Sequence, residues 1–275
     1  MKNILLIGCG HMGSALLTSW IDSKQYHITL IDPLKINFLN KKYKKIKKIK
    51  IVQTISKIEN ASKFHFIVIA VRPIDLTNVL KELSKIKFNK KTSLVSVVAG
   101  KKINIYRKYF SNISNYFRVM PNMPASIGES MNCIVFNKEA NSSKKNDIFK
   151  LFSLSGRSIF LKNENEIDMT TAISGSGPGF IFNLIDAMEK AAIRLGFKQQ
   201  TARILVLETF KGSINLFSKS KMTAQQLVNT VATKGGTTEA GLKIMKKNKI
   251  HKIFVDLTNA SYKKAKHQGS INGKK

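Results

Sequence analysis

The chain has few of the features that mark secreted, membrane or metal-binding proteins. Only two of its 275 residues are cysteines, Cys9 and Cys133, which excludes a disulfide framework and any CxxC zinc site. No apolar run approaches the roughly 18–20 residues of a membrane span. The first apolar stretch passes straight into glycines, which predicts no secretory signal. A hydrophobic content of 43% is enough to form a full core, and the length of 275 residues suits one or two domains. Taken together, these features lead us to expect a cytoplasmic globular protein.

Acidic residues are also scarce: the chain has 16 acidic and 47 basic residues, which gives a formal net charge of +31. Clustered positive charge can neutralise nucleic-acid phosphates. Only six of the basic residues are arginines, however, and base-reading sites rely on arginine. The bias towards Lys, Asn and Ile is what an AT-rich coding sequence gives. The densest run, Lys41–Lys50, is predicted to be a solvated face with core contacts from Ile46 and Ile49. We therefore expect no specific nucleic-acid partner.

A glycine loop follows the first apolar run. Asn3–Ile7 is predicted to be a strand, the sequence GCGHMG follows it, and apolar residues then recur at helical spacing as far as Ile21. A second apolar run, His27–Ile31, ends at Asp32, 19 residues beyond the last glycine of the loop. A strand, glycine loop, helix and second strand with an acid at this distance are typical of a dinucleotide-binding fold.

The three glycines of this loop have separate expected roles. Gly8 permits the tight turn, Gly10 lets the backbone approach a pyrophosphate, and Gly13 lets the helix pack closely on the strand. His11 and Met12 lie between the last two glycines, where the first helical turn directs its N–H groups at the phosphates. A glycine turn that binds no ligand is the alternative.

The rest of the chain divides into two parts. Helical segments lie between several further apolar runs, which favours a mainly parallel, doubly wound sheet. The predicted strands are Phe64–Val71, Ser93–Ala99, Tyr116–Met120, Cys133–Phe136 and Ser158–Leu161. Beyond about Lys162 no strand signal returns, and five helices are predicted, one stopped by Gly196 and one opened by a capping box of Thr223 and Gln226. The fold class is therefore α/β: a Rossmann-like domain over residues 1–161 and an all-α domain over 162–275, with a frayed tail at 267–275.

Three other segments follow predicted strands, and ligands of such folds bind beyond the carboxyl ends of strands. Their sequences are Ala70-Val71-Arg72-Pro73, Val98-Ala99-Gly100 and Met120-Pro121-Asn122-Met123-Pro124-Ala125. We expect Asn122 to offer amide contacts to a nicotinamide or a ribose. Simple turn formation is the alternative for each segment.

Two glycine-rich segments lie in the helical half. SGSGPG (residues 174–179) and TKGGTT (residues 233–238) each precede a predicted helix. Hydroxyls and free backbone N–H groups at a helix N-terminus form a natural seat for a carboxylate. Helix capping by Ser and Thr is the alternative.

Together these motifs resemble pyrroline-5-carboxylate reductase along nearly the whole chain. The stretch VATKGGTTEAGLKIM is very similar to the family's C-terminal signature, and GCGHMG, AVRP, SVVAG, MPNMPA and SGSGPGFIF look like its other motifs, in the family's order. The resemblance implies reduction of 1-pyrroline-5-carboxylate to L-proline by NADPH or NADH, the last step of proline biosynthesis. It also implies a homo-oligomer built from dimers, whose interlocked helical domains form the substrate pocket between subunits.

The resemblance implies roles for individual residues. Thr238 would hydrogen-bond the ring nitrogen as the catalytic residue, while Gly236, Thr237 and Ser176 would hold the carboxylate. A protonated cyclic imine is already a good hydride acceptor, so no strong base, catalytic triad or metal is required. The cofactor-binding set comprises Gly8, Gly10, His11, Met12, Gly13, Asp32, Lys35, Ala70, Val71, Arg72, Pro73, Ala99, Gly100, Met120, Pro121 and Asn122.

Some positions depart from the family's pattern. Arg72 replaces a usual Lys, Met123 a common Thr, and Lys234 a common Pro, but none of these changes removes a proposed reacting group. Asp32 favours NADH, because an acid there accepts from the ribose hydroxyls and repels a 2′-phosphate. Family members often carry a small hydroxyl residue at that position and use NADPH, and Lys35 can attract the 2′-phosphate. We therefore expect either cofactor to work.

Other functions stay open at this point. A dehydrogenase of the β-hydroxyacid type carries a GxxxNxxK pattern, which Gly179, Asn183 and Asp186 match except that an acid replaces the lysine base. A non-catalytic dinucleotide-binding protein, or a basic protein that coats nucleic acid, is a third possibility. Asp168 and Asp186 are predicted to be acids on helix surfaces or at helix caps. Cys9 is predicted to be a small packing residue.

Overall fold

A computed structural model describes residues 1–270, and its contacts divide the chain into two compact units. One unit comprises Met1–Ser176 together with the last helix from Ser261 onward, and the other comprises Gly177–Ala260. The domain boundary expected after Leu161 stays a prediction, because a compact unit is not by itself an independently folding domain.

An eight-stranded sheet forms the centre of the first unit. The strands are β1 (Lys2–Ile7), β2 (Tyr26–Ile31), β3 (Ile49–Val52), β4 (Phe64–Ile69), β5 (Ser93–Ser96), β6 (Asn115–Met120), β7 (Ser130–Phe136) and β8 (Gly156–Phe160). They are ordered β3-β2-β1-β4-β5-β6-β7-β8, and every neighbouring pair is parallel except β6 with β7. The predicted mainly parallel, doubly wound sheet is confirmed.

Helices occupy the connections between strands and the whole second half. Those of the first half are α1 (His11–Ile21), α2 (Ile36–Tyr43), α3 (Leu76–Leu83), α4 (Ile103–Arg107), α5 (Ser142–Ser153) and α6 (Glu164–Thr170). A π-helical turn, Thr171–Gly175, leads from α6 into the second half. There follow α7 (Gly177–Arg194), α8 (Gln199–Lys219), α9 (Ala224–Val231), α10 (Thr237–Lys247) and α11 (Ile250–Ser270).

The sheet separates two apolar layers. Ile4 and Leu6 of β1 belong to one buried cluster, whereas Leu5 and Ile7 belong to the other. This division follows from the alternation of side chains along a strand. All four side chains are at most 2% exposed, so β1 is buried on both faces, as a central parallel strand must be.

β3 lies partly in the lysine-rich run, for which the sequence pattern predicts a solvated face with core contacts but no strand. That prediction is wrong for the backbone, because Ile49 pairs with Ile28 of β2 and is buried together with Val52. The expected core contacts of Ile46 and Ile49 are present. Since this edge strand has only four residues, the alternation is too short to identify it among so many lysines.

The helices of the second half begin and end largely where the sequence predicts. Gly196 follows α7 with a φ of +102°, a conformation that favours glycine at a helix end. Both bonds of the capping box between Thr223 and Gln226 are present at the start of α9. The predicted frayed tail is wrong for residues 267–270, which continue α11, and its remaining residues, 271–275, lie outside the described part of the chain.

The second unit leaves much apolar surface uncovered within a single chain. α7, α9 and α10 have no fully buried side chain, although α7 carries a clear apolar stripe. Large exposed apolar side chains in this unit include Phe182, Met188, Ile204, Phe217, Met245 and Val255. Among residues 1–270, no helix is long and apolar enough to cross a membrane.

Candidate cofactor and substrate site

The carboxyl ends of three strands meet at the point where the strand order reverses. Ile7, the last residue of β1, lies opposite Ile31 of β2 and Ile69 of β4. The N–H of Gly8 donates to the carbonyl of Ile31, and the N–H of Ala70 donates to the carbonyl of Ile7, each at 2.8 Å. The segments that follow β1, β2 and β4 therefore begin side by side, in the crevice where doubly wound folds bind their ligands.

The three loop glycines have different surroundings. Gly8 has a φ of +91°, and a Cβ there would lie 2.6 Å from the carbonyl oxygen of Ala70. A Cβ on Gly13 would lie 2.1 Å from the carbonyl oxygen of Gly8, so neither position accepts a side chain. Gly10 has no atom within 4 Å of an added Cβ, and no side chain caps the N-terminus of α1. The backbone beside Gly10 is thus open to an anion.

The side chains of Asp32 and Lys35 hydrogen-bond the backbone N–H and carbonyl of Cys9 in the glycine loop. The Cys9 N–H donates to Asp32 Oδ2 at 2.7 Å, and the Leu34 N–H donates to Asp32 Oδ1 at 3.2 Å. Lys35 Nζ donates to the Cys9 carbonyl at 2.9 Å. The acid expected at a ribose therefore also fixes the glycine loop. Burial raises the pKa of the Cys9 thiol, which fits its predicted packing role.

The segments after β4 and β5 continue this edge of the sheet. Arg72 is exposed and forms an ion pair with Asp75, with 2.8 Å between Nε and Oδ2. Its positive charge is therefore partly neutralised within the chain. Gly100 is buried with a φ of +71°, and Ala99 beside it is half-buried.

Lys101, directly after Gly100, is a largely buried lysine that the sequence does not reveal. The residue is 3% exposed, and no described residue accepts a hydrogen bond from its ammonium or pairs with its charge, but its Nζ still reaches solvent. Burial lowers its pKa, because removal from water disfavours the charged form. We therefore expect the partial desolvation of Lys101 to cost a little folding free energy at neutral pH.

Replacing Lys101 by methionine is expected to raise Tm by about 1–2 °C at neutral pH, which corresponds to about 0.5 kcal/mol, because solvent still screens the ammonium. Because the folded-state pKa of Lys101 lies below its unfolded value, the native chain gains stability relative to the variant as pH rises. The advantage of Lys101→Met should therefore shrink as pH rises from neutral towards the ordinary lysine pKa of about 10.4. Lys102, the exposed neighbour, provides the matched control Lys102→Met. Equal Tm shifts in both variants would attribute the effect to net charge rather than burial.

The side chain of Asn122 is buried and forms hydrogen bonds with other parts of the protein. Its Oδ1 accepts from the Met131 N–H at 2.9 Å and shares the Ser130 hydroxyl, at 3.2 Å, with Asn132 Oδ1 at 2.9 Å. Its Nδ2 donates to the carbonyl of Ser174 at 2.9 Å. The side chain therefore holds two segments of the protein together. Its Nδ2 has a second hydrogen, and the contact of this amide with a nicotinamide or ribose stays a prediction. Met120 and Pro121, which precede it, still lie at the carboxyl end of β6.

A buried ion pair joins β6 to α6. Arg118 Nη2 lies 3.0 Å from Asp168 Oδ1, and the two side chains are 2% and 7% exposed. Glu164 is 3.7 Å from Arg118 Nη1 and accepts the Ile103 N–H at 2.9 Å. The prediction that Asp168 is a surface or cap acid is wrong. An arginine within an apolar strand was the available signal, because a buried cation needs an acid. Asp186, by contrast, is exposed and pairs with Lys190.

The TKGGTT segment forms an uncapped helix N-terminus. Gly235 has a φ of +75°, and Gly236 is the N-cap of α10 with no side-chain cap hydrogen bond. Thr237 and Thr238 are thus the first two residues of the helix rather than caps. The Gly235 N–H donates to Glu239 Oε2 at 3.0 Å, which fixes the turn. Lys234 is exposed.

The candidate substrate-binding hydroxyls are free within the described chain. Many other helical Ser and Thr hydroxyls donate to a backbone carbonyl one turn back, as Ser174 does to Thr170. No described residue hydrogen-bonds to the hydroxyl of Ser176, Thr237 or Thr238. Ser176 uses its backbone N–H to bond Thr171, at the end of the π-helical turn. These three hydroxyls are therefore able to bind a ligand.

Comparisons with known proteins match both halves of the chain. A family model described as pyrroline-5-carboxylate reductase dimerisation matches residues 164–268. A second, described as NADP oxidoreductase, coenzyme F420-dependent, matches residues 3–100. The chain is 28% identical to pyrroline-5-carboxylate reductase 2 of Bacillus subtilis, over 96% of this chain and 94% of that protein.

Solved structures agree with these matches. The pyrroline carboxylate reductase of Plasmodium falciparum, solved with NADP bound, is 27% identical with a TM-score of 0.84, and 98% of each chain is covered. The enzyme of Coxiella burnetii is 26% identical with a TM-score of 0.86, over 98% of this chain and 99% of that one. The resemblance predicted from the motifs is confirmed along nearly the full length.

Proposed function

We propose that this chain, which resembles the pyrroline-5-carboxylate reductases over almost its whole length, reduces the C=N bond of 1-pyrroline-5-carboxylate to give L-proline, the last step of proline biosynthesis. The observation that carries the proposal is the match of the whole chain to reductases of this kind, with the dimerisation model covering the helical half. The reductant is NADPH or NADH, in line with the NADP-bound relative and the matched NADP oxidoreductase model.

The glycine loop has the space and polarity that a dinucleotide needs. The open backbone at Gly10 and the uncapped N-terminus of α1 suit a pyrophosphate. When bound, the cofactor supplies a hydride to the imine carbon. The chain itself needs only to hold and align the reactants, because the protonated imine is already electrophilic. The strand-end segments around Ala70, Ala99 and Met120 complete the proposed cofactor-binding set.

The N-terminus of α10 is the proposed substrate-binding site. Thr237 holds the carboxylate through its N–H and hydroxyl at an uncapped helix N-terminus, beside Gly236, whose own N–H donates to the Thr233 carbonyl at 3.0 Å. Thr238 hydrogen-bonds the ring nitrogen, and its hydroxyl has no other partner in the described chain. Ser176, whose hydroxyl is equally unpartnered, is a further carboxylate ligand.

Asp32 is proposed to set the cofactor preference. Replacing it by serine is expected to raise the ratio of kcat/KM with NADPH to kcat/KM with NADH about tenfold, because a carboxylate no longer repels the 2′-phosphate. Lys35→Gln should move the same ratio in the opposite direction. Both ratios are measured at constant ionic strength, since charge effects are screened by salt. An unchanged ratio in Asp32→Ser contradicts this role.

The proposed assembly is a homo-oligomer built from dimers. Its support is the matched dimerisation model and the exposed apolar side chains of the second unit. The proposed partners are the small-molecule substrate and further copies of this chain, with no specific nucleic acid. We also propose that the enzyme acts in the cytoplasm.

The reaction is tested by following nicotinamide absorbance after addition of 1-pyrroline-5-carboxylate, with NADPH and NADH in parallel. Turnover with at least one cofactor is expected. A folded oligomer inactive with both would favour a dehydrogenase of the β-hydroxyacid type or a non-catalytic dinucleotide-binding protein. The first of these is disfavoured, because Asp186 stands where such enzymes carry a lysine base.

A further inference from the structure

Asn122 joins the turn after β6 to the segment that leads into α7. Its two accepted hydrogen bonds, from the Met131 N–H and the Ser130 hydroxyl, fix the turn to β7. Its donated hydrogen bond reaches a different part of the chain, the carbonyl of Ser174. Since the residue is only 9% exposed, few other groups can compete for these bonds. One side chain thus ties a proposed cofactor segment to the SGSGPG segment.

The bonded carbonyl belongs to an unusual piece of backbone. Thr171–Gly175 is a π-helical turn, closed by the Ser176 N–H donating to the Thr171 carbonyl at 2.8 Å. Such π-helical turns are rare, occur mostly as single turns within α-helices, and are frequent at functional sites. Ser176, a proposed carboxylate ligand, follows this turn directly. A fixed contact on the turn therefore determines where the Ser176 hydroxyl lies.

A second contact indicates that the two segments are closely fitted. A Cβ on Gly175 would lie 3.3 Å from Met120 Cε, so the turn passes tightly against the side chain of a cofactor-segment residue. Loss of the Asn122 bond would let the turn move relative to Met120. Displacements of about 1 Å at a reacting site can lower rates about 100-fold.

We propose that Asn122 is a positioning residue that fixes the π-helical turn, and with it Ser176, relative to the cofactor segment at Met120. This inference rests on the proposed function, because it assigns Ser176 to the substrate carboxylate. Asn122 acts through its donated hydrogen bond and does not itself touch the substrate. The substrate side of the site, rather than cofactor affinity, depends on that bond.

Asn122→Asp separates the two functions of the side chain. The aspartate keeps both acceptors for Met131 and Ser130 but, when ionised, cannot donate to Ser174. We expect KM for 1-pyrroline-5-carboxylate to rise about tenfold, while the dissociation constant for NADPH, measured by fluorescence without substrate, stays within about twofold. Asn122→Ser, which is neutral and too short to reach Ser174, should give the same split if the aspartate variant does not fold.

Asn132→Asp is the matched control. Asn132 is fully buried on the neighbouring strand, and its Nδ2 donates to the carbonyl of Phe152 at 2.9 Å. This variant should lose thermal stability without changing the KM for the imine. If only destabilisation mattered, both variants would raise that KM alike, and the proposal would be overturned. A parallel loss of cofactor affinity in Asn122→Asp would also overturn it, since Asn122 would then serve the cofactor directly.

Hydrogen exchange tests the same contact without any turnover. Amide protection of residues 171–177 should fall in Asn122→Asp and be preserved in Asn132→Asp. Unchanged protection in the first variant overturns the inference. If the wild-type chain binds cofactor but does not reduce the imine, the proposed function fails, and the exchange experiment still decides whether Asn122 holds the turn.

Discussion

Thr238→Ala is expected to lower kcat/KM for 1-pyrroline-5-carboxylate about 10- to 150-fold. A hydrogen bond to a charged group contributes about 1.5–3 kcal/mol, and each 1.4 kcal/mol is a factor of ten. Thr238 is half-buried, is the second residue of α10, and offers a hydroxyl that no described residue engages. The substitution deletes only the hydroxyl and one methyl group, so α10 should persist. Steady-state kinetics at saturating cofactor provide the measurement.

Two further variants separate chemistry from packing. Thr238→Ser restores the hydroxyl and should recover kcat/KM to within a few-fold of wild type. Thr230→Ala is the matched control, because Thr230 is exposed on α9 and its hydroxyl bonds the Gln226 carbonyl at 3.0 Å. That change should leave kinetics unaltered. Wild-type activity in Thr238→Ala would show that the Thr238 hydroxyl is not needed. The ring nitrogen would then be bound by backbone groups of the same turn.

The sequence predicts the architecture well because the relevant signals are local. About thirty residues contain the apolar runs of β1 and β2, the glycine loop and Asp32. Each of these features predicts the local backbone structure at its own position. Gly8 and Gly13 occupy positions where a Cβ would collide with backbone, as expected from the loop pattern. Helix ends such as Gly196 are equally local.

The contacts that the sequence does not reveal join residues far apart in the chain. Asn122 bonds Ser174 across 52 residues, and Arg118 pairs with Asp168 across 50. A motif can show that Asn122 follows a strand, but not which way its amide points. Lys101 illustrates a related limit, since its exposed neighbour Lys102 has the same side chain. Burial depends on packing, which spacing alone does not specify.

Asp168→Asn is expected to lower the free energy of unfolding by about 3–5 kcal/mol, the largest stability effect among these variants. The change leaves the Arg118 guanidinium, only 2% exposed, without its closest counter-charge. Its Nη1 already lacks a hydrogen-bond partner in the described chain, so Glu164 at 3.7 Å compensates poorly. Denaturant unfolding at one fixed protein concentration measures the loss, because oligomer stability depends on concentration.

The double variant Arg118→Met with Asp168→Leu tests whether the loss comes from an unpaired charge. Replacing both partners by apolar side chains removes both desolvation penalties, so the double variant should be more stable than Asp168→Asn and close to wild type. Asp186→Asn, which breaks the exposed pair with Lys190, is the control and should change stability by less than about 1 kcal/mol. A double variant as unstable as the single one would mean that α6 requires the ion pair itself. The link between β6 and α6 would then depend on electrostatics rather than on packing.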